Sequence, residues 1–204
     1  SSAAGAVAVS PDGSRILVAG HEPMLLDARG GGVLARMGEG GAMQLGLIGE
    51  GRGAAFSPDG SRAFLDEGTG STVLLDGASG KELGSLDGGR ARFSPDGKLV
   101  ATQDKRVVRF WDAATGKLVG GQATHQAPDA SWEGVSFEFS PDGKALLTCL
   151  KESIQLWEVP SGKPLGKIAY DSETRMAIGP LEEAHFLPGG NAILSVTWAR
   201  AALF

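Results

Sequence analysis

Ala91-Arg92-Phe93-Ser94-Pro95-Asp96-Gly97-Lys98-Leu99-Val100-Ala101-Thr102 holds two short apolar runs, residues 91–93 and 99–102, joined by Pro-Asp-Gly. Proline presets φ and glycine accepts a positive φ, so the stretch reads as a β-hairpin. The tetrapeptide Ser-Pro-Asp-Gly begins at Ser10, Ser57, Ser94 and Ser140, and a degenerate copy, Leu187-Pro188-Gly189-Gly190, follows; the intervals are 47, 37, 46 and 47 residues. Each copy has an apolar run before the turn (residues 7–9, 54–56, 91–93, 135–139 and 184–186) and another after it (16–19, 63–65, 99–102, 145–150 and 192–196).

A third run ends in an aromatic or leucine followed by an acid: Leu26-Asp27, Leu75-Asp76, Trp111-Asp112 and Trp157-Glu158. The acid lies 17, 19, 18 and 18 residues after the turn serine. Glycines at Gly30, Gly80, Gly116 and Gly162 mark the next turn, and a fourth apolar run follows at residues 33–37, 83–86, 117–119 and 165–169. Four short strands per unit, with turns at this spacing, predict one β-propeller blade per repeat. A β-sandwich gives no reason for so regular a repeat. The expected fold is therefore all-β: four-stranded antiparallel blades, four complete and a fifth lacking its last strand. Residues 1–204 form a single propeller domain or segment, with blades at about 6–37, 53–86, 90–119, 134–169 and 183–204.

Phe93-Ser94-Pro95-Asp96-Gly97, then Trp111-Asp112, then Thr115-Gly116-Lys117, resembles the WD-repeat family, and the resemblance covers nearly the whole chain. It implies a propeller that serves as a scaffold for protein partners. The sequence departs from the family pattern in three ways. Trp-Asp is intact once and becomes Leu-Asp in blades one and two. The Gly-His pair that precedes such repeats is missing. The turn Asp between the second and third strands is out of register, with Asp104 one residue early and Lys151 in its place in blade four. The His–Asp–Ser/Thr–Trp network of better-matched repeats is accordingly not expected. The acid of the fifth repeat would fall one position beyond Phe204. The chain is expected to be part of a larger propeller, with a closed five-bladed ring as the alternative. Open blade edges would favour self-association.

Composition narrows the function classes. An apolar fraction of 42% suits a packed core, and the 32 glycines are spread along the chain as many tight turns require. The formal charge of −5 speaks against a nucleic-acid partner. Cys149 stands alone, so no internal disulfide forms, and its apolar neighbours make it a packing residue. No apolar run approaches the roughly 20 residues needed to span a bilayer. No signal peptide is visible, which leans the compartment toward the cytoplasm without fixing it.

The aspartates of the Pro-Asp-Gly turns read as turn-stabilising groups. His21, His125 and His185 lie in different blades without metal-ligand spacing, so no metal is expected. No nucleophile elbow, phosphate loop or dinucleotide fingerprint is present, so the chain reads as a non-enzyme without a cofactor. The long connections, residues 38–53, 120–134 and 170–183, emerge on the face that carries the second-to-third-strand turns. On that loop face, His21, Glu22, Lys105, Arg106, His125, Trp132, Lys151 and Glu152 are the candidate binding residues; Trp198 is expected to pack in the core. A second group, Arg92, Glu138 and His185, precedes the phenylalanine of three successive first strands, on the channel side. Opposite charges there should pair, so an Arg92–Glu138 contact extended by His185 is expected. Blade three is locally basic through Arg90, Arg92, Lys98, Lys105, Arg106, Arg109 and Lys117, which suits a solvated face or an acidic partner. The leading function is a protein-interaction scaffold using the loop face. The alternative is a propeller enzyme or small-molecule sensor using the central channel.

Overall fold

The computed structural model describes residues 5–20, 22–37, 53–66, 70–126, 134–150, 153–169, 181–197 and 201–203. Among them every regular element is a β-strand. Blade one holds β1 (Val7–Val9), β2 (Arg15–Val18), β3 (Met24–Asp27) and β4 (Val33–Arg36). Blade two holds β5 (Ala54–Phe56), β6 (Arg62–Asp66), β7 (Ser71–Asp76) and β8 (Glu82–Asp87). Blade three holds β9 (Gly89–Phe93), β10 (Leu99–Asp104), β11 (Val107–Asp112) and β12 (Leu118–Thr124). Blade four holds β13 (Ser136–Phe139), β14 (Ala145–Leu150), β15 (Ser153–Glu158) and β16 (Pro164–Ala169). The fifth blade has three strands, β17 (Leu181–Phe186), β18 (Ile193–Thr197) and β19 (Ala201–Leu203). Within each sheet, sequential strands are neighbours. The chain is thus all-β and built of four-stranded antiparallel blades, four complete and a fifth of three strands. It divides into two compact units, residues 1–102 with 111–118, and residues 103–110 with 119–204.

The Pro-Asp-Gly turns explain the repeat. The Ser10 carbonyl accepts from Gly13 N–H at 2.8 Å, and Gly13 takes a φ of 69° that a side chain would resist. Asp12 Oδ1 accepts from the Ser10 hydroxyl at 2.6 Å and from Ser14 N–H at 3.1 Å, while Ser10 Oγ accepts from Arg15 N–H at 2.9 Å. Asp59, Asp96 and Asp142 make the same bonds. These bonds, first of all the one from the serine hydroxyl, hold each carboxyl below the usual carboxylate range. The degenerate fifth copy keeps the turn, with Gly190 N–H on the Leu187 carbonyl at 2.8 Å and Gly190 at a φ of 69°.

The acid closing each third strand caps the next turn. Asp76 Oδ1 accepts from Ser79 N–H at 2.9 Å and its hydroxyl at 2.7 Å; Asp112 does the same with Thr115 at 2.8 and 2.7 Å. The strand pairing shifts register just before this acid, at Leu25/Leu26, Leu74/Leu75 and Leu156/Trp157. Such a bulge bends the strand into the turn. In blade one the left-handed glycine is Gly31, not Gly30, which matches Gly80, Gly116 and Gly162 four residues after the acid.

Blades pack through one repeated apolar interface. In the first unit Leu17, Ala19 and Leu25 of blade one meet Ala63, Leu65, Val73 and Leu75 of blade two. Phe64, Leu74 and Leu86 of blade two then meet Ala91, Val100 and Trp111 of blade three. In the second unit Leu147 and Cys149 of blade four meet Leu181, Ala184 and Ile193 of blade five.

Arginine straps cross two of these interfaces. Arg15 Nη1 donates to the Gly77 carbonyl, and Arg62 Nε donates to the Ala113 carbonyl at 3.2 Å, in both cases the residue after the turn acid of the next blade. Arg62 also lies 3.8 Å from Asp76. Leu99 and Ala145 occupy the equivalent place in blades three and four. Arg62→Leu keeps the apolar stem and removes the strap. It is expected to cost about 1–2 kcal/mol, read as a lower urea midpoint, whereas Lys98→Leu on the same edge of blade three should leave the midpoint unchanged.

Candidate functional site

The loop face is best defined at the β10–β11 turn. Lys105 sits there at a φ of 55°, exposed. Its carbonyl accepts from Gln103 Nε2 at 2.8 Å and from Val135 N–H at 3.1 Å, and the Arg106 carbonyl accepts from His125 N–H at 2.9 Å. Three bonds therefore fix the backbone of the turn at the exposed Lys105. Arg109 lies 3.6 Å from Asp104 at the strand ends beside it. In blade one Glu22 is exposed, 3.7 Å from Arg36. His21, Trp132, Lys151, Glu152 and Trp198 lie outside the described residues, as do the connection at 38–52 and residues 170–180.

His125 is not a loop-face contact. It is only 2% exposed and both ring nitrogens are engaged. The connection assigned to residues 120–134 is also shorter than expected, because β12 continues to Thr124. His125 follows directly and enters blade four, where Nδ1 lies 2.8 Å from Thr148 Oγ1 and Nε2 lies 3.1 Å from Ser153 Oγ. Trp157 Nε1–H donates to the same Thr148 oxygen at 2.8 Å. Beside this, Gln126 N–H donates to Gln155 Oε1 at 3.2 Å, and Gln155 Nε2 donates back to the Gln126 carbonyl at 2.8 Å. A His–Thr–Trp network was not expected in this chain, yet one forms in blade four, with Ser153 at the head of β15 on the second ring nitrogen.

Proton placement follows from counting donors. The Thr148 oxygen receives the Trp157 proton, and its own hydroxyl proton has His125 Nδ1 at 2.8 Å against the Gln155 carbonyl at 3.5 Å. Thr148 therefore donates to Nδ1, and the neutral ring carries its proton on Nε2, donating to Ser153. Burial, seconded by the Lys167 and Arg106 charges, lowers the imidazole pKa to about 4. Blade three has the Trp–Thr half of the network, Trp111 Nε1 donating to Thr102 Oγ1 at 2.8 Å, and there the Asp87 carbonyl accepts from the threonine at 2.6 Å. No histidine is used.

The channel-side row resolves in part. Glu138 on β13 and His185 on β17 meet, with 2.7 Å between Glu138 Oε2 and Nδ1, and Glu183 Oε2 lies 3.3 Å from Nε2. The bond to Glu138, then that to Glu183, raises the His185 pKa, since an imidazolium can donate to both carboxylates at once. Arg92 is exposed on β9 in the first unit, so its expected pairing with Glu138 would join the two units and remains an expectation. Cys149 is buried, and burial pushes its thiol up to about 11, which suits packing and not nucleophilic chemistry.

Among the described residues no three His, Cys, Asp or Glu side chains converge as metal ligands, and no helix is long and apolar enough to cross a membrane. No family model matches the chain, and no curated protein matches it.

Proposed function

We propose that the chain is a protein–protein interaction scaffold of WD-repeat type, whose partner docks on the blade ends carrying the second-to-third-strand turns. The observation that carries this reading is the β10–β11 turn, where three hydrogen bonds hold an exposed stretch of backbone. A turn whose backbone is already fixed has little backbone entropy left to lose on binding. At the opposite blade ends, the Pro-Asp-Gly polar groups bond to one another. A second reading, a small-ligand site, has the Glu138–His185–Glu183 cluster in its favour.

The test compares two variants of the immobilised chain on the proteins it retains from a lysate. Lys105→Glu alters the loop end of blade three; Lys98→Glu with Lys117→Glu alters its opposite end. The loop-end variant should bind at least about tenfold more weakly, about 1.4 kcal/mol, and the other should bind as the wild type does. Loss confined to the opposite-end variant would overturn the proposal. Loss only on Glu138→Gln would favour the small-ligand reading.

A further inference from the structure

We propose that His185 is a pH-sensitive clasp: its imidazolium ties β17 of blade five to β13 of blade four through Glu138, and loss of the proton loosens β17. Blades four and five belong to the same compact unit. The clasp needs neither a bound ligand nor the loop-face partner.

β17 lies against β13 and β14 of blade four and pairs with β18 of its own blade. Leu181 and Ala184 supply the apolar part of the seam, against Leu147 and Cys149. His185 follows Ala184 and is half-exposed, so protons reach it from water. Nδ1 lies 2.7 Å from Glu138 Oε2 across the blade boundary, and Nε2 lies 3.3 Å from Glu183 Oε2 on its own strand.

A neutral imidazole has one N–H to give and turns a lone pair on whatever faces its other nitrogen. Two carboxylates on two ring nitrogens are satisfied together only by the charged ring. Deprotonation leaves one carboxylate facing a lone pair and weakens the bond that survives, which is no longer an ion pair. Glu138 and Glu183 then repel each other, with no cation between them. No lysine or arginine lies on β13, β14, β17 or β18 to take its place. Besides the ring, these strands carry Glu138, Glu182, Glu183 and Cys149, and burial pushes the Cys149 thiol up to about 11. The apolar seam remains whether or not the ring is charged, so pH alters how often β17 opens and not whether the blade folds.

The bond to Glu138, then that to Glu183, raises the ring's pKa above its ordinary 6.5. The clasp is therefore fully closed below pH 6.5 and opens as pH rises through the raised value. The buried His125, lowered to about 4, is already neutral in that range and adds no titration of its own.

The experiment is a proton NMR titration of the full chain from about pH 6 to about pH 9, where histidines titrate. Amide exchange of residues 183–186 is read in parallel and corrected for the intrinsic pH dependence of exchange. His185→Gln identifies the ring signal. In the wild type its midpoint should lie above 6.5, and Glu138→Gln should bring it down. Across that midpoint, protection of residues 183–186 should fall about two- to fivefold, as for a solvent-exposed ion pair. His185→Arg keeps a cation at the clasp and should hold protection constant. Both clasp side chains reach solvent, so the variants should fold, checked by the β-sheet circular dichroism spectrum. A wild-type midpoint at or below 6.5, a midpoint unmoved in Glu138→Gln, protection that ignores the titration, or the same fall in His185→Arg would each overturn the proposal.

Discussion

Replacing His125 by leucine should lower stability at neutral pH by about 2–4 kcal/mol, because it strips the partner from two buried hydroxyls at about 1–3 kcal/mol each. Thr148 and Ser153 both lie in the interior of blade four and both face the ring. Leucine fills comparable volume, so the loss reports hydrogen bonding more than packing. The wild type should also carry a pH signature that the variant lacks. The folded ring has a pKa of about 4 against an ordinary value of 6.5. Between those values the unfolded chain binds the proton and the folded chain does not. Stability from this group is therefore full above pH 6.5 and is lost as pH falls toward 4, by about 3 kcal/mol over the interval. Urea midpoints of the two proteins should converge as the pH is lowered through this window. A gap that stays constant or widens would contradict a neutral, buried His125.

Gly162→Ala should cost about 3 kcal/mol, of which roughly 1–2 kcal/mol comes from the left-handed backbone alone. Gly162 has a φ of 67°, and a Cβ there would lie 2.5 Å from the Gln122 carbonyl oxygen and 2.6 Å from its carbon. Both are backbone atoms of β12, so relief requires moving a strand and not a side chain. The facing Gly120 is held by the same closeness: a Cβ on it would overlap the Pro160 carbonyl. Gly166→Ala is the control, since a Cβ there meets nothing within 4 Å. Equal midpoints for the two variants would show that β12 does not approach the β15–β16 turn this closely.

The strands were legible because their turn chemistry repeats. Ser-Pro-Asp-Gly places a carboxylate, a hydroxyl and a glycine where one turn needs all three, and even Leu187-Pro188-Gly189-Gly190 keeps the proline and the final glycine that shape it. What stayed hidden depends on atoms the sequence does not pattern. The Arg15 and Arg62 straps end on backbone carbonyls, which every residue possesses, so nothing in the text of the chain marks the acceptor. His125 has no glycine before it, and its partners Thr148 and Ser153 belong to the following blade. Its commitment to the interior was invisible from its own neighbourhood. Gly120-Gly121 reads as a turn signal, yet both glycines serve close backbone packing at the start of a strand that runs on to Thr124. Lys105 and Arg106 could be placed on a turn between strands, whereas the three bonds that fix that turn come from Gln103, His125 and Val135.

The most direct test of partner docking on the loop ends is amide hydrogen exchange of the chain alone and with a protein co-purified on it. The expected result is new protection at residues 104–107, with exchange at the Pro-Asp-Gly turns unchanged. Protection centred on those turns, with residues 104–107 exchanging as in the free chain, would contradict it.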